Sequence, residues 1–172
     1  LESSSTREVN ITNEKVPDEQ HWRQIELEKG HAFEQFVVNR FRQRSNFKWM
    51  DATSDKGTQG YYPESNQNPD LQYEYHFDGK SYPFAVECKF RSNYSGSILL
   101  TKDGQIERYK KFEIEKGMKV FIVLGLGGTA EKPEKLFVIP LSDAKQRMDW
   151  KELQDYKAEP KFYYRISEGR LY

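Results

Sequence analysis

Cysteine, net charge and long apolar runs are all scarce in this chain, and each absence removes a class of protein. The single cysteine, Cys88, among 172 residues rules out an intrachain disulfide framework and a four-cysteine zinc site, and it fits a reducing, cytoplasmic setting. The longest apolar stretch, Val120 to Leu126, has the length of a strand, well short of the roughly 20 residues a membrane helix needs. No membrane segment is therefore expected within this chain. The chain starts at Leu1 rather than methionine, which leaves room for an upstream extension, a signal or an anchor among the options. The 27 basic residues balance 27 acidic ones, which argues against coating nucleic acid by bulk charge while leaving room for a local basic groove. Aliphatic residues are sparse, so the 15% of aromatic residues must carry much of the buried area. The length suits one domain. Residues 1–16 are polar and aperiodic and read as a flexible lead-in, and residues 17–172 read as the domain.

Periodicity gives the element order. From Pro17 to about Arg44 the pattern is helical, with Phe33, Phe36, Val37 and Phe41 on one stripe and Gly30 marking a kink or a break. Phe47 to Thr53 reads as a strand, followed by a long polar connection from Ser54 to Pro69 of the kind that is usually functional or disordered. Residues 70–77 and 82–90 are rich in aromatic and β-branched residues, and Asp78-Gly79 between them signals a two-residue hairpin. Arg91 to Lys102 reads as a polar turn, after which Asp103 caps a helix from near Gln105 to Gly117. Lys119 to Leu126 has the composition of a buried central strand. Gly125-Leu126-Gly127-Gly128 lacks the Lys-Ser/Thr of a phosphate-binding loop and reads as a turn. Lys135 to Pro140 is a further strand, Ser142 to about Tyr156 a helix, and Phe162 to Ile166 a last edge strand. The order α-β-β-β-α-β-β-α-β implies an α/β fold with a mixed sheet flanked by helices, the helix between residues 90 and 119 serving as a crossover.

The hairpin brings charged residues together. A two-residue loop sets Phe77 opposite Lys80 and Asp70 opposite Glu87, whereas a four-residue loop sets Asp70 opposite Lys89 with Glu87 on the diagonal. Lys89 shares a face with Glu87 in both, because side chains two apart on a strand point the same way. Two opposed carboxylates destabilise a sheet unless something compensates. A hard cation with oxygen ligands would do so, and so would Lys89 alone. The geometry is compatible with a metal site and with a solvated ion-pair cluster. Glu-x-Lys by itself is weak, since Glu159-Pro160-Lys161 has the same spacing. Its place in an apolar strand, behind a Pro-Asp at the matching hairpin position, strengthens it.

In this order the residues resemble the PD-(D/E)xK nuclease superfamily, with its restriction-endonuclease-like fold. The acidic residue of the first helix would be Glu34, the Pro-Asp is Pro69-Asp70, and the Glu-x-Lys is Glu87-Cys88-Lys89. The likeness spans about residues 30–125 with core order α-β-β-β-α-β. Gln105 and Tyr109, at i and i+4 on one helix face, resemble the Gln-x-x-x-Tyr element of the RecB-type branch.

The resemblance implies a metal-dependent deoxyribonuclease of restriction, resolvase or repair type that hydrolyses phosphodiester bonds. Asp70, Glu87 and the backbone carbonyl of Cys88 would hold Mg²⁺, for which Mn²⁺ could substitute, and Glu34 would support that ion through water or bind a second one. Lys89 would orient or activate the attacking water, and Gln105 would place the phosphate or the lysine. Candidate substrate contacts are Tyr109, Arg91 and the loop residues Tyr61 and Tyr62, the last two as stacking groups. DNA is the expected partner, with a homodimer as the expected assembly. Two other readings compete: a nuclease-fold DNA-binding module without catalysis, and a protein-interaction domain using the aromatic-rich sheet.

Overall fold

A computed structural model describes residues 18–50 and 68–172. The expected lead-in, the end of the first expected strand, Tyr61, Tyr62 and most of the long polar connection lie outside the described residues.

Helix α1 (Glu19–Phe41) starts at Asp18, whose carboxylate accepts the His21 N–H at 2.9 Å. This contact satisfies one of the unpaired donors at the helix start. Its buried residues are Phe33, Val37, Val38 and Phe41, so only the C-terminal half is anchored to the sheet. The kink or break expected at Gly30 does not occur as a break, and one helix runs through it. A glycine costs about 1 kcal/mol in a helix interior, too little to interrupt a helix held by that aromatic face.

Strands β1 (Phe47–Trp49), β2 (Leu71–Phe77) and β3 (Lys80–Arg91) form an antiparallel meander. The two-residue hairpin alternative is the observed one: Phe77 pairs with Lys80 and Leu71 with Val86. Asp78 and Gly79 both have positive φ, as a tight turn matching the strand twist requires. A short strand β4 (Ser97–Leu99) and helix α2 (Gln105–Lys116) then lead into β5 (Lys119–Gly128), which runs parallel to β3. Strand β6 (Pro133–Pro140) completes a five-stranded sheet of order β1-β2-β3-β5-β6. The expected mixed sheet with a helical crossover is thus present.

Five local expectations need correction. Gly104, in a left-handed conformation, occupies the N-cap of α2 in place of Asp103, whose carboxylate accepts a hydrogen bond from the Gln146 amide. Part of the stretch read as a polar turn is β4. It finds its partner 50 residues away in β7 (Arg147–Asp149), a pairing that also dismantles the helix expected over Ser142 to Tyr156. Extended backbone there buries Met148, and the helical part is cut to one short turn, α3 (Trp150–Leu153), fixed by a reciprocal Asp149–Glu152 capping box and continued by a 3-10 turn over Gln154–Tyr156. The last strand is cut to β8 (Tyr164–Arg165), which pairs with β9 (Arg170–Leu171) in a separate hairpin. Finally, Gly125 and Leu126 belong to β5, and the chain turns at Thr129–Lys132.

The two faces of β3 enter different cores. Phe84 and Val86 pack with Phe33, Val37 and Phe41 of α1, whereas Ala85 packs with Tyr109 and Phe112 of α2. Gly125 permits the first of these contacts, because a Cβ there would lie 2.5 Å from the Phe33 ring and 3.2 Å from Phe90. Phe33 is boxed in by Phe36 and Phe90 and has little room to retreat. Gly125→Ala should therefore lower the unfolding free energy by about 1–3 kcal/mol, measurable by urea denaturation.

Candidate active site

The alternation that sends Phe84 and Val86 to α1 turns Ala85, Glu87 and Lys89 toward α2. Glu87 is buried at 5% exposure, which is costly for a carboxylate without partners. One oxygen is well served: Oε1 accepts from Lys89 Nζ at 2.6 Å and from Gln105 Nε2 at 3.3 Å. Its other oxygen, Oε2, is buried with no hydrogen-bond partner. Buried polar atoms are rarely left this way without a reason.

Asp70 immediately precedes β2 and meets β3 at the same level. Its Oδ2 accepts the backbone N–H of Cys88 at 2.8 Å. The residue as a whole is exposed, yet its carboxyl turns inward against β3 and loses hydration there. That burial, reinforced by the charge of Glu87 and more weakly by Glu34, pushes the Asp70 pKa up to about 8 despite the opposing effects of the Cys88 N–H and Lys89. Burial also raises the Cys88 thiol well above its ordinary range, with Asp70, Glu87 and Glu34 adding to the effect. The thiol lies against the α1 core and stays protonated, leaving the Cys88 backbone as its contribution to the site.

Helix α2 supplies the support behind Glu87. Gln105 is buried, accepts the Lys102 N–H at 3.3 Å, and donates to the Tyr109 hydroxyl at 2.7 Å as well as to Glu87. The expected i, i+4 pairing is therefore a physical contact. Tyr109 is 1% exposed, which corrects its reading as a substrate contact: it stands behind Gln105 and fixes that amide. Burial, the neighbouring Glu87 charge and the approach of that carboxylate to the hydroxyl hold it protonated.

Glu34, half-buried on α1, lies 3.7 Å from His31 Nδ1 and contributes charge at Asp70 and Cys88. Among the described residues no three His, Cys, Asp or Glu side chains cluster closely enough to hold an ion, so Glu34 is not a direct third ligand in this geometry. Asp70 and Glu87 remain as a pair. The pair suits Mg²⁺, which takes one or two carboxylates and completes its shell with water and phosphate oxygens. The unpartnered Glu87 Oε2 is the observation that fits such an ion best.

Arg91, two residues beyond Lys89, donates to the carbonyls of Phe90 at 2.9 Å and Leu99 at 3.1 Å, tying β3 to β4. Arg40 is likewise committed, donating to the Glu159 carbonyl at 2.7 Å and lying over Phe162. The residues that the sequence did not single out are Tyr94, Arg147 and Trp150. Tyr94 and Arg147 line a groove with Arg91, and Trp150 stacks on Tyr94, an arrangement that depends on the β4–β7 pairing, for which no local pattern exists.

No known family profile matches this sequence, and no curated protein sequence does. Among solved structures the chain is similar to Hjc, a Holliday junction resolvase from the archaeal hyperthermophile Archaeoglobus fulgidus, at a TM-score of 0.50 and 16% sequence identity. The match covers 74% of this chain and 89% of that one. Among the described residues no helix is long and apolar enough to cross a membrane. The five-stranded mixed sheet with its flanking helices, together with this neighbour, makes the architecture a restriction-endonuclease-like α/β fold.

Proposed function

We propose that this protein is a divalent-metal-dependent nuclease that hydrolyses phosphodiester bonds in DNA. The observation that carries the reading is the buried Glu87 carboxylate, with one oxygen fixed by Lys89 and Gln105 and the other unpartnered, close enough to Asp70 for its charge to raise that carboxyl's pKa. The nuclease-type fold of the structural neighbour supports it.

Asp70, Glu87 and the Cys88 carbonyl would hold the ion, and Glu34 would act on it through water. When bound, Mg²⁺ supplies Lewis acidity toward the scissile phosphate and lowers the pKa of its water. The protein's own residues do the positioning. Lys89 carries three donors on a flexible stem, so its ammonium can leave Glu87 for a water or a phosphate oxygen while staying in the same cleft. Gln105, locked by Tyr109, keeps Glu87 in a single rotamer as Lys89 moves. The Cys88 N–H holds Asp70 in register with Glu87.

The test is cleavage of a panel of duplex, branched and single-stranded DNA with Mg²⁺ or Mn²⁺. Wild type should cut at least one of these, and Asp70→Ala should lose the activity. Cleavage unchanged in Asp70→Ala would contradict the proposal. The tight Lys89–Glu87 pair favours one second reading, a DNA-binding module whose lysine permanently neutralises Glu87 in place of a cation. That reading predicts salt-sensitive DNA binding with no heat of metal binding.

A further inference from the structure

Beyond Lys89, β3 ends in an open groove of about 480 Å³ between that strand end and the β4–β7 ribbon. Arg91 lines it, on the same face as Lys89 and one two-residue step, about 6–7 Å, farther along the strand. Arg147 also lines it, with its guanidinium 3.4 Å from the Ser97 hydroxyl, as do Asn93 and Tyr94. Tyr94 is 37% exposed and stacks on Trp150, equally exposed, with ring centroids 5.7 Å apart and planes 13° from parallel. Lys135 Nζ lies 5.3 Å from the Trp150 ring centre. The nearby Asp149 carboxylate accepts the Glu152 N–H within the capping box.

We infer that this groove is a subsite for one unpaired nucleotide of the strand being cut, its base stacking on Tyr94 and its phosphate held by Arg147. The inference rests on the nuclease reading above. Its own support is chemical: an exposed aromatic ladder backed by a cation, opening onto two arginines and an amide, at a distance from Lys89 that a neighbouring nucleotide spans. Aromatic platforms bind bases without regard to sequence, because every base has a π-face, and they require that base to be unpaired. Arg91, already bonded to two carbonyls, leaves the phosphate to Arg147.

The subsite can be tested by fluorescence anisotropy with a labelled single-stranded oligothymidylate and a blunt duplex of equal length, at low salt in EDTA. Tyr94→Ala should weaken single-strand binding by about 5- to 150-fold, the range expected for one stacked base, and duplex binding by much less. Tyr94→Phe should restore it. Arg147→Gln should weaken binding and reduce the slope of log affinity against log salt by about one. Binding by Tyr94→Ala that equals wild type on the single strand, or falls equally on both substrates, overturns the subsite. If such a variant also cleaves like wild type, the nuclease reading stands without the subsite. If wild type neither binds nor cleaves any DNA, both fall together.

Discussion

Alanine at Lys89 is expected to reduce metal-dependent cleavage by about 10²–10⁴-fold, the range typical of a positioned proton-transfer group. The same substitution should also destabilise the metal-free protein. Lys89 and Glu87 have side chains only 15% and 6% exposed and sit 2.6 Å apart, so removing the ammonium strands a buried carboxylate. Breaking such a pair from one side costs about 3–5 kcal/mol, whereas replacing both partners by apolar residues is often neutral or better. Denaturant titration should therefore find Lys89→Met clearly less stable than wild type and the double variant Lys89→Met/Glu87→Leu closer to it. Mg²⁺ should recover part of the loss in Lys89→Met and none in the double variant. Equal stability of Lys89→Met and wild type in EDTA would mean that water already satisfies Glu87.

The second large effect is a pH dependence centred on Asp70. Its carboxyl is raised from the ordinary 3.8 to about 8 by burial first and by Glu87 second. A proton must leave before this carboxylate can bind a cation, so metal binding and protonation compete. Metal affinity should rise by about tenfold per pH unit from roughly pH 6 toward pH 8 and level off above, with one proton released per ion at the lower pH. Calorimetry in two buffers of different ionisation enthalpy measures that release directly. Metal-free stability carries the opposite sign. The folded state holds this proton more tightly than the unfolded chain, so the contribution is fully present below about pH 4 and is lost as pH rises through about 8. Asp70→Asn keeps an acceptor for the Cys88 N–H and has no charge to desolvate. In EDTA at pH 8 its Tm should exceed that of wild type by at least about 2 °C, and the difference should shrink toward pH 4. A flat metal affinity across this range would place the ionised form of Asp70 in the free protein.

Local patterns made the centre of the fold legible. Asp-Gly between two aromatic strands specified a turn that only positive φ can make, and that turn fixed the register bringing Asp70 to Glu87. The continuous apolar run of β5 marked the strand buried on both faces, and the i, i+4 spacing put Gln105 and Tyr109 on one helix face, where they hydrogen-bond. Long-range pairing hid the rest. Ser97-Ile98-Leu99 is too short to register as a strand until Arg147-Met148-Asp149 lies against it, and the latter was obscured by a sequence that also suits a helix. The groove at Tyr94 and Arg147 inherits this difficulty, since its residues come from two segments joined only by that ribbon. The unpartnered Glu87 oxygen was likewise invisible, because spacing places a carboxylate on a face but cannot say which oxygen its neighbours leave over.

Anomalous scattering from a crystal of this protein soaked in Mn²⁺ decides whether Asp70 and Glu87 form a metal site. An ion is expected between Asp70 and Glu87, held by Glu87 Oε2 and the Asp70 carboxylate, with Lys89 Nζ retained on Oε1 or released toward solvent. Saturating Mn²⁺ that leaves no anomalous peak between these two carboxylates, with Glu87 still bound only to Lys89 and Gln105, would contradict it.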